Sequence, residues 1–169
     1  ARAIHLTRSG PGKPLISLRC ALLTAAAVER ELYGDTQTQG RLLSAAGGTL
    51  VFEDVEALSV PQQAEIAAIF AAGSMRQGGL AHAVDARRVA TSSARLAQLV
   101  ESGRFDPQLF QLLTGIVIDV KPLKTRLEDL PVLAEHFLQQ EAVREGKPAK
   151  RLTPEAVDCL FAHSWPGNV

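Results

Sequence analysis

Gly47-Gly48-Thr49-Leu50-Val51-Phe52-Glu53-Asp54 is the stretch on which the fold turns. Two glycines punctuate the chain, Thr49 to Phe52 follow without polar alternation, and two carboxylates close the run. A continuous apolar run is the pattern of a strand covered on both faces, as in a parallel sheet; a strand with one wet face alternates. Acids at the carboxyl end of such a strand stand where α/β folds gather ligand chemistry, and in phosphoryl-transfer sites one acid there holds Mg²⁺ while its neighbour polarises water. The alternative is an acidic strand end that caps the following helix. Taken alone, the eight residues weigh the two readings equally.

Working outward, similar short apolar runs lie at 15–18, 87–91 and 116–120, so the sequence predicts four strands. Helical patterns separate them. One opens at Ser59 with Pro61 in its first turn, carries Ile66, Ile69 and Phe70 on one face and stops at Gly73. Another spans 94–102 with Leu96, Leu99 and Val100, ended by Gly103, and a third has Asp106 as N-cap, Pro107 at the first helical position and Gly115 beyond its end. Ala1-Arg2-Ala3-Ile4-His5-Leu6 reads as the last turns of a helix already under way, and Ala25-Ala26-Ala27 favours helix. After 120 the rhythm changes. Residues 127–140 put Leu130, Leu133, Ala134, Phe137 and Leu138 on one stripe, Glu145-Gly146-Lys147-Pro148 is a polar connector, and Thr153-Pro154-Glu155 starts a helix expected to bury Val157, Leu160 and Phe161. Strands alternating with helices, then helices alone, predict a parallel α/β sheet over 1–123 followed by the start of a small helical subdomain over 124–169.

The 169 residues suit one domain with a small satellite. Eighteen basic and eighteen acidic residues cancel, which removes a broad electrostatic grip on nucleic acid or an anionic membrane. The chain is 46% apolar, yet no run approaches the roughly 18 residues of a membrane span, so a soluble protein without a membrane partner is expected. Cys20 and Cys159 lack metal-ligand spacing and no leader pattern precedes them, which makes a reducing cytoplasm the expected location. His5, His82, His136 and His163 are scattered and read as structural or exposed. Without an initiator Met, and ending on Trp165-Pro166-Gly167-Asn168-Val169, the chain reads as a fragment of something longer. Gly10-Pro11-Gly12-Lys13 is not a phosphate loop: G-x-x-x-x-G-K-[ST] would need Gly and a hydroxyl where Thr7 and Pro14 stand, so a turn is expected.

Several segments in register carry a family resemblance. The run 47–58, then Asp85-Ala86-Arg87-Arg88-Val89-Ala90-Thr91-Ser92-Ser93, Gly103-Arg104-Phe105, Lys121-Pro122-Leu123-Lys124-Thr125-Arg126-Leu127-Glu128-Asp129-Leu130-Pro131, Leu152-Thr153-Pro154-Glu155-Ala156 and the final Trp-Pro-Gly-Asn-Val resemble the AAA+ ATPase domain of bacterial sigma-54-dependent transcription activators over nearly the whole chain. The resemblance implies an AAA+, P-loop-NTPase-like sandwich with a helical lid. It also implies ATP and Mg²⁺ as cofactors, ring-forming homo-oligomers, and remodelling of sigma-54 RNA polymerase. DNA contact would come only through a flanking helix-turn-helix domain, beside a sensory domain of the two-component kind.

Residue by residue, the resemblance places Glu53 and Asp54 at the Walker B positions, as metal ligands and catalytic acids in reversed order, and Ser93 at the sensor position where the family has Asn. Asp106 and Leu112 fall where the family carries two arginines that reach a neighbouring subunit's phosphates, and Arg126, with Lys124, falls beside the nucleotide cleft. The phosphate loop belongs immediately upstream of Ala1; its strand is central in the family's sheet, and a parallel sheet without it would leave two rows of backbone groups unpaired. The GAFTGA-type polymerase-contact loop belongs after Glu31-Leu32-Tyr33-Gly34, yet Asp35-Thr36-Gln37-Thr38-Gln39 runs directly to Gly40. These departures predict a regulatory module with weak or absent ATP hydrolysis. The alternatives are a working ATPase completed by segments outside this stretch, and a non-catalytic interaction scaffold.

Overall fold

The computed structural model describes residues 1–9, 12–35, 38–77 and 79–168. In chain order its elements are α1 (Arg2–Ser9), β1 (Leu15–Arg19), α2 (Ala25–Tyr33), α3 (Arg41–Ser44), β2 (Thr49–Glu53), α4 (Val60–Ala72), β3 (Ser74–Gln77), β4 (Leu80–Ala83), β5 (Arg87–Ala90), α5 (Leu96–Glu101), α6 (Pro107–Leu113), α7 (Leu130–Glu145) and α8 (Pro154–Ala162). They divide into two compact units, Ala1–Val117 and Ile118–Val169. Of the turn expected at Gly10-Pro11-Gly12-Lys13, the first two residues lie outside the described ones.

The first unit is built on a parallel sheet in the order β1-β2-β5. β2 lies in the middle, and Leu50, Val51 and Phe52 are 0%, 2% and 1% exposed, as the unbroken apolar run requires. Leu18, Leu50 and Phe52 join Leu32 of α2, Ile66 and Phe70 of α4 and Leu109 of α6 in one core, where the Phe52 and Phe70 rings meet edge to face at 5.9 Å. Helix α4 starts where Ser59 and Pro61 predict, with Gln62 Oε1 accepting from the Ser59 amide at 2.9 Å, and ends at Gly73 with φ +63°. α1 is tied down through buried His5, whose Nδ1 lies 2.9 Å from Thr49 Oγ1.

The fourth expected strand does not form. Residues 116–120 belong to no strand, and Ile116, Val117, Ile118 and Val120 are 66–81% exposed. β-branched residues favour extended backbone, but a strand exists only where a neighbouring backbone pairs with it, and none of the described residues does so here. Among the described residues β5 is paired on one edge only. The sequence reading also missed an antiparallel hairpin, β3 with β4, although Gly78-Gly79 between two short runs is itself a hairpin signal.

In the second unit α7 and α8 form, but the burial expected of Val157, Leu160 and Phe161 in α8 does not. Leu130 is the buried residue of α7, α8 has none among its described side chains, and Phe137 and Phe161 are 47% and 40% exposed. A pair of helices has too little volume to enclose an apolar stripe on each. Trp165 packs within this unit, its Nε1–H donating to Leu160 O at 2.8 Å and its ring lying edge to face with His163. No helix among the described residues is long and apolar enough to cross a membrane.

Candidate functional site

Glu53 ends β2 in register with Arg19, which ends β1. Ser17, two residues earlier, projects on the same side of the pleat as Arg19. The ladder therefore delivers both to one carboxylate: Ser17 Oγ donates to Glu53 Oε1, and Arg19 Nε donates to Oε2 at 3.3 Å. The Ser17 hydrogen bond, helped by the Arg19 charge, holds the Glu53 carboxyl below its ordinary range. Asp54 follows in the left-handed region, φ 55°, with its amide on Thr91 Oγ1 at 3.4 Å. Its carboxylate is exposed and has no hydrogen-bond or ion-pair partner among the described residues.

Next comes Glu56, in the 3₁₀ turn Val55–Ala57. Its Oε1 accepts from both the amide (2.8 Å) and the hydroxyl (2.7 Å) of Ser93, while Oε2 is buried without a partner among the described residues. Burial pushes the Glu56 carboxyl up, but the Ser93 hydrogen bonds and others outweigh it and leave it below the usual carboxylate range. Ser93 is thus engaged with Glu56 and not with Glu53 or Asp54. Beneath these acids lies Cys20, 1% exposed; burial, with the charges of Asp54, Glu56 and Glu53, pushes its thiol up to about 12.

Asp106 is the N-cap the sequence predicts. Its Oδ1 accepts from the Leu109 amide at 2.7 Å, and its own amide donates to Oε1 of fully buried Gln63 at 2.7 Å. Gln63 Nε2 donates in turn to Leu58 O at 2.6 Å, so one buried amide joins α4 to the start of α6. Leu112 packs against the core. In the second unit, Arg126 Nη1 pairs with Asp129 Oδ2 at 3.4 Å, and its Nε is buried without a partner among the described residues.

Between α2 and α3 the described residues pair across the connection. Gly34 bridges Gln39, the Asp35 amide donates to Thr38 O at 2.9 Å, and Asp35 Oδ1 accepts from the Thr38 amide at 2.7 Å; Thr36 and Gln37 lie outside the described residues. A Cβ at Gly34 would run into the backbone of Thr38 and Gly40, and one at Gly40 into that of Leu32 to Gly34. Arg41 locks the far side, with Nε on Glu31 Oε2 at 2.5 Å and Nη1 on Ser17 O at 2.7 Å.

Mg²⁺ is held at phosphate sites by one or two carboxylates together with phosphate oxygens. Each Glu53 oxygen already accepts one hydrogen bond from β1, and the Arg19 contact sets a positive charge beside it, which weakens its pull on a cation while lone pairs remain. Asp54 retains a free carboxylate, and no three His, Cys, Asp or Glu side chains gather into a metal site among the described residues. The pair thus presents one carboxylate held by β1, Glu53, and one without a partner among the described residues, Asp54.

Family models and relatives agree with this architecture. The sigma-54 interaction domain model matches residues 1–119 and the AAA+ ATPase lid domain model matches residues 124–169. The chain belongs to the sigma-54 interaction domain family. Over its whole length it is 36% identical to the transcriptional regulatory protein ZraR of Escherichia coli (strain K12), of which it covers 41%, and 36% identical to the DNA-binding transcriptional regulator NtrC of the same strain, of which it covers 38%. The crystal structure of NtrX from Brucella abortus in complex with ATP superimposes with a TM-score of 0.88 at 31% identity, over 99% of this chain and 40% of that one. This sigma-54 interaction domain thus spans about two fifths of the length of these relatives. Its alignment with ZraR runs over 180 positions against 169 residues, so at least 11 positions of that relative have no counterpart in it.

Sequence reasoning missed Ser17, Arg19, Glu56 and Gln63. A faint signal existed for the first two: β1 reads Leu-Ile-Ser-Leu-Arg, and its two polar residues share a face. That face points at Glu53 only once β1 and β2 are placed side by side.

Proposed function

We propose that this domain is the AAA+ nucleotide module of a bacterial transcription regulator related to the sigma-54 activators, with a core over 1–123 and a lid from 124, in which ATP hydrolysis is weak or absent and regulation works through binding or assembly. The observation that carries the reading is the start of α6. At the two places where the family resemblance puts triphosphate-contacting arginines, Asp106 is occupied as a helix cap and Leu112 packs on the core. A carboxylate repels phosphate and leucine carries no charge, whereas an arginine finger is worth about 10³ to 10⁵ in rate. The engagement of Ser93 by Glu56 and of Glu53 by Ser17 and Arg19 points the same way, since water-orienting and metal-holding groups must be free to act.

Nucleotide as a ligand is supported by NtrX of Brucella abortus, crystallised with ATP and with ADP. Arg126, with a buried Nε that has no partner among the described residues, is the side chain we assign to it. The bridge of Gly34 to Gln39 and the close backbone approach at Gly34 and Gly40 support a domain without the polymerase-contact loop, so sigma-54 RNA polymerase is not its partner in this reading. A second copy of the chain is, and DNA contact belongs to a flanking domain.

The test is ATP turnover by the full-length protein beside its Asp106→Arg/Leu112→Arg variant. Turnover far below that of ordinary family members, rising at least about tenfold in the double variant, supports the reading. Turnover already ordinary in the unaltered protein establishes the alternative, a working ATPase. A thermal midpoint unmoved by saturating ATP, where a specific ligand at 100 Kd adds about 2.7 kcal/mol, would instead identify a non-catalytic scaffold.

A further inference from the structure

Three acids, Glu53, Asp54 and Glu56, crowd the carboxyl end of β2, and each acts on the same buried Cys20 thiol. One guanidinium reaches them, Arg19 of β1 on Glu53; Arg41 of α3 binds Ser17 O and pairs with Glu31 instead. The Arg19–Glu53 pair is exposed, the Arg19 side chain being 72% accessible, and what sets it apart is the strand register that holds it. Exposed pairs are weak because two long side chains must be held in one geometry. Here the parallel ladder sets Arg19 opposite Glu53 residue for residue, and Ser17 Oγ fixes the second carboxylate oxygen. The carboxylate is oriented by its own sheet, with a permanent positive charge already at its side.

We infer that Arg19 is a built-in cation: its guanidinium takes the Glu53 carboxylate that a divalent metal would use, so Glu53 adds nothing to the metal affinity of this strand end. Arg19 acts as a positioning residue, through Glu53. The residual metal affinity of this strand end belongs to Asp54, whose carboxylate is free.

The experiment is a Mn²⁺ titration of the nucleotide-free full-length protein, followed by the paramagnetic resonance signal of unbound Mn²⁺, in wild type, Glu53→Gln, Arg19→Gln, Arg19→Lys and the Arg19→Gln/Glu53→Gln double variant. Wild type and Glu53→Gln should bind Mn²⁺ equally. Arg19→Gln should tighten binding on the order of fivefold, the size of a surface charge contact. Arg19→Lys should stay at the wild-type value, and the double variant should lose the gain. A wild type whose Mn²⁺ affinity drops in Glu53→Gln, or an Arg19→Gln variant that gains nothing, overturns the inference. The titration uses no nucleotide, so it decides the role of Arg19 whatever becomes of the functional reading.

Discussion

Strand β2 and helix α7 are both rich in apolar residues, yet only the strand is enclosed. Leu50, Val51 and Phe52 lose essentially all contact with solvent, while α7 buries Leu130 and leaves Val132 and Val143 70% and 84% exposed. β2 has a strand on each edge and the core cluster on its face; within its own unit α7 meets α8 and the short turn before it. Apolar composition makes burial favourable, but neighbours must be present to provide it.

The sharpest contrast should be chemical. A Cys20 thiol at about 12 is about one part in ten thousand thiolate at pH 8, and it is buried, whereas Cys159 in α8 is exposed. Iodoacetamide at that pH should label Cys159 and spare Cys20 until the protein is denatured; equal labelling of the native protein would break the comparison. In stability, Phe52→Ala should cost about 3–5 kcal/mol in urea unfolding, and Phe137→Ala on α7 less than about 1 kcal/mol. Similar losses for the two would mean that α7 has a covered face after all. Gln63→Ala should cost about 1–3 kcal/mol, because it strands Leu58 O and the Asp106 amide without partners. Asp106→Ala, which removes only the α6 cap, should cost about 1 kcal/mol in the same unfolding measurement, and no loss would remove the cap from the account of that position.

What could be read ahead of the structure had short range. The acidic end of β2, the start and stop of α4 and the capping role of Asp106 all follow from signals within a few residues, and each is found in place. Ile116 to Val120 shows where such signals fail: the run has strand composition and no strand beside it. Ser93 shows the same limit at the site. Its position matched a sensor, but its hydroxyl goes to Glu56, a residue no motif singles out.

By itself, then, the sequence determined three parallel strands and most of the helices, the helical second unit and the family, but not the β3–β4 hairpin or the fate of residues 116–120, because propensity, capping and periodicity act along neighbouring residues and the family's segments recur in order. Only tertiary structure decided who meets whom. Ser17 and Arg19 reach Glu53 across 36 and 34 residues, and Ser93 reaches Glu56 across 37. Those meetings depend on strand register and on the loop between β5 and α5, and they determine which carboxylates remain free for a ligand.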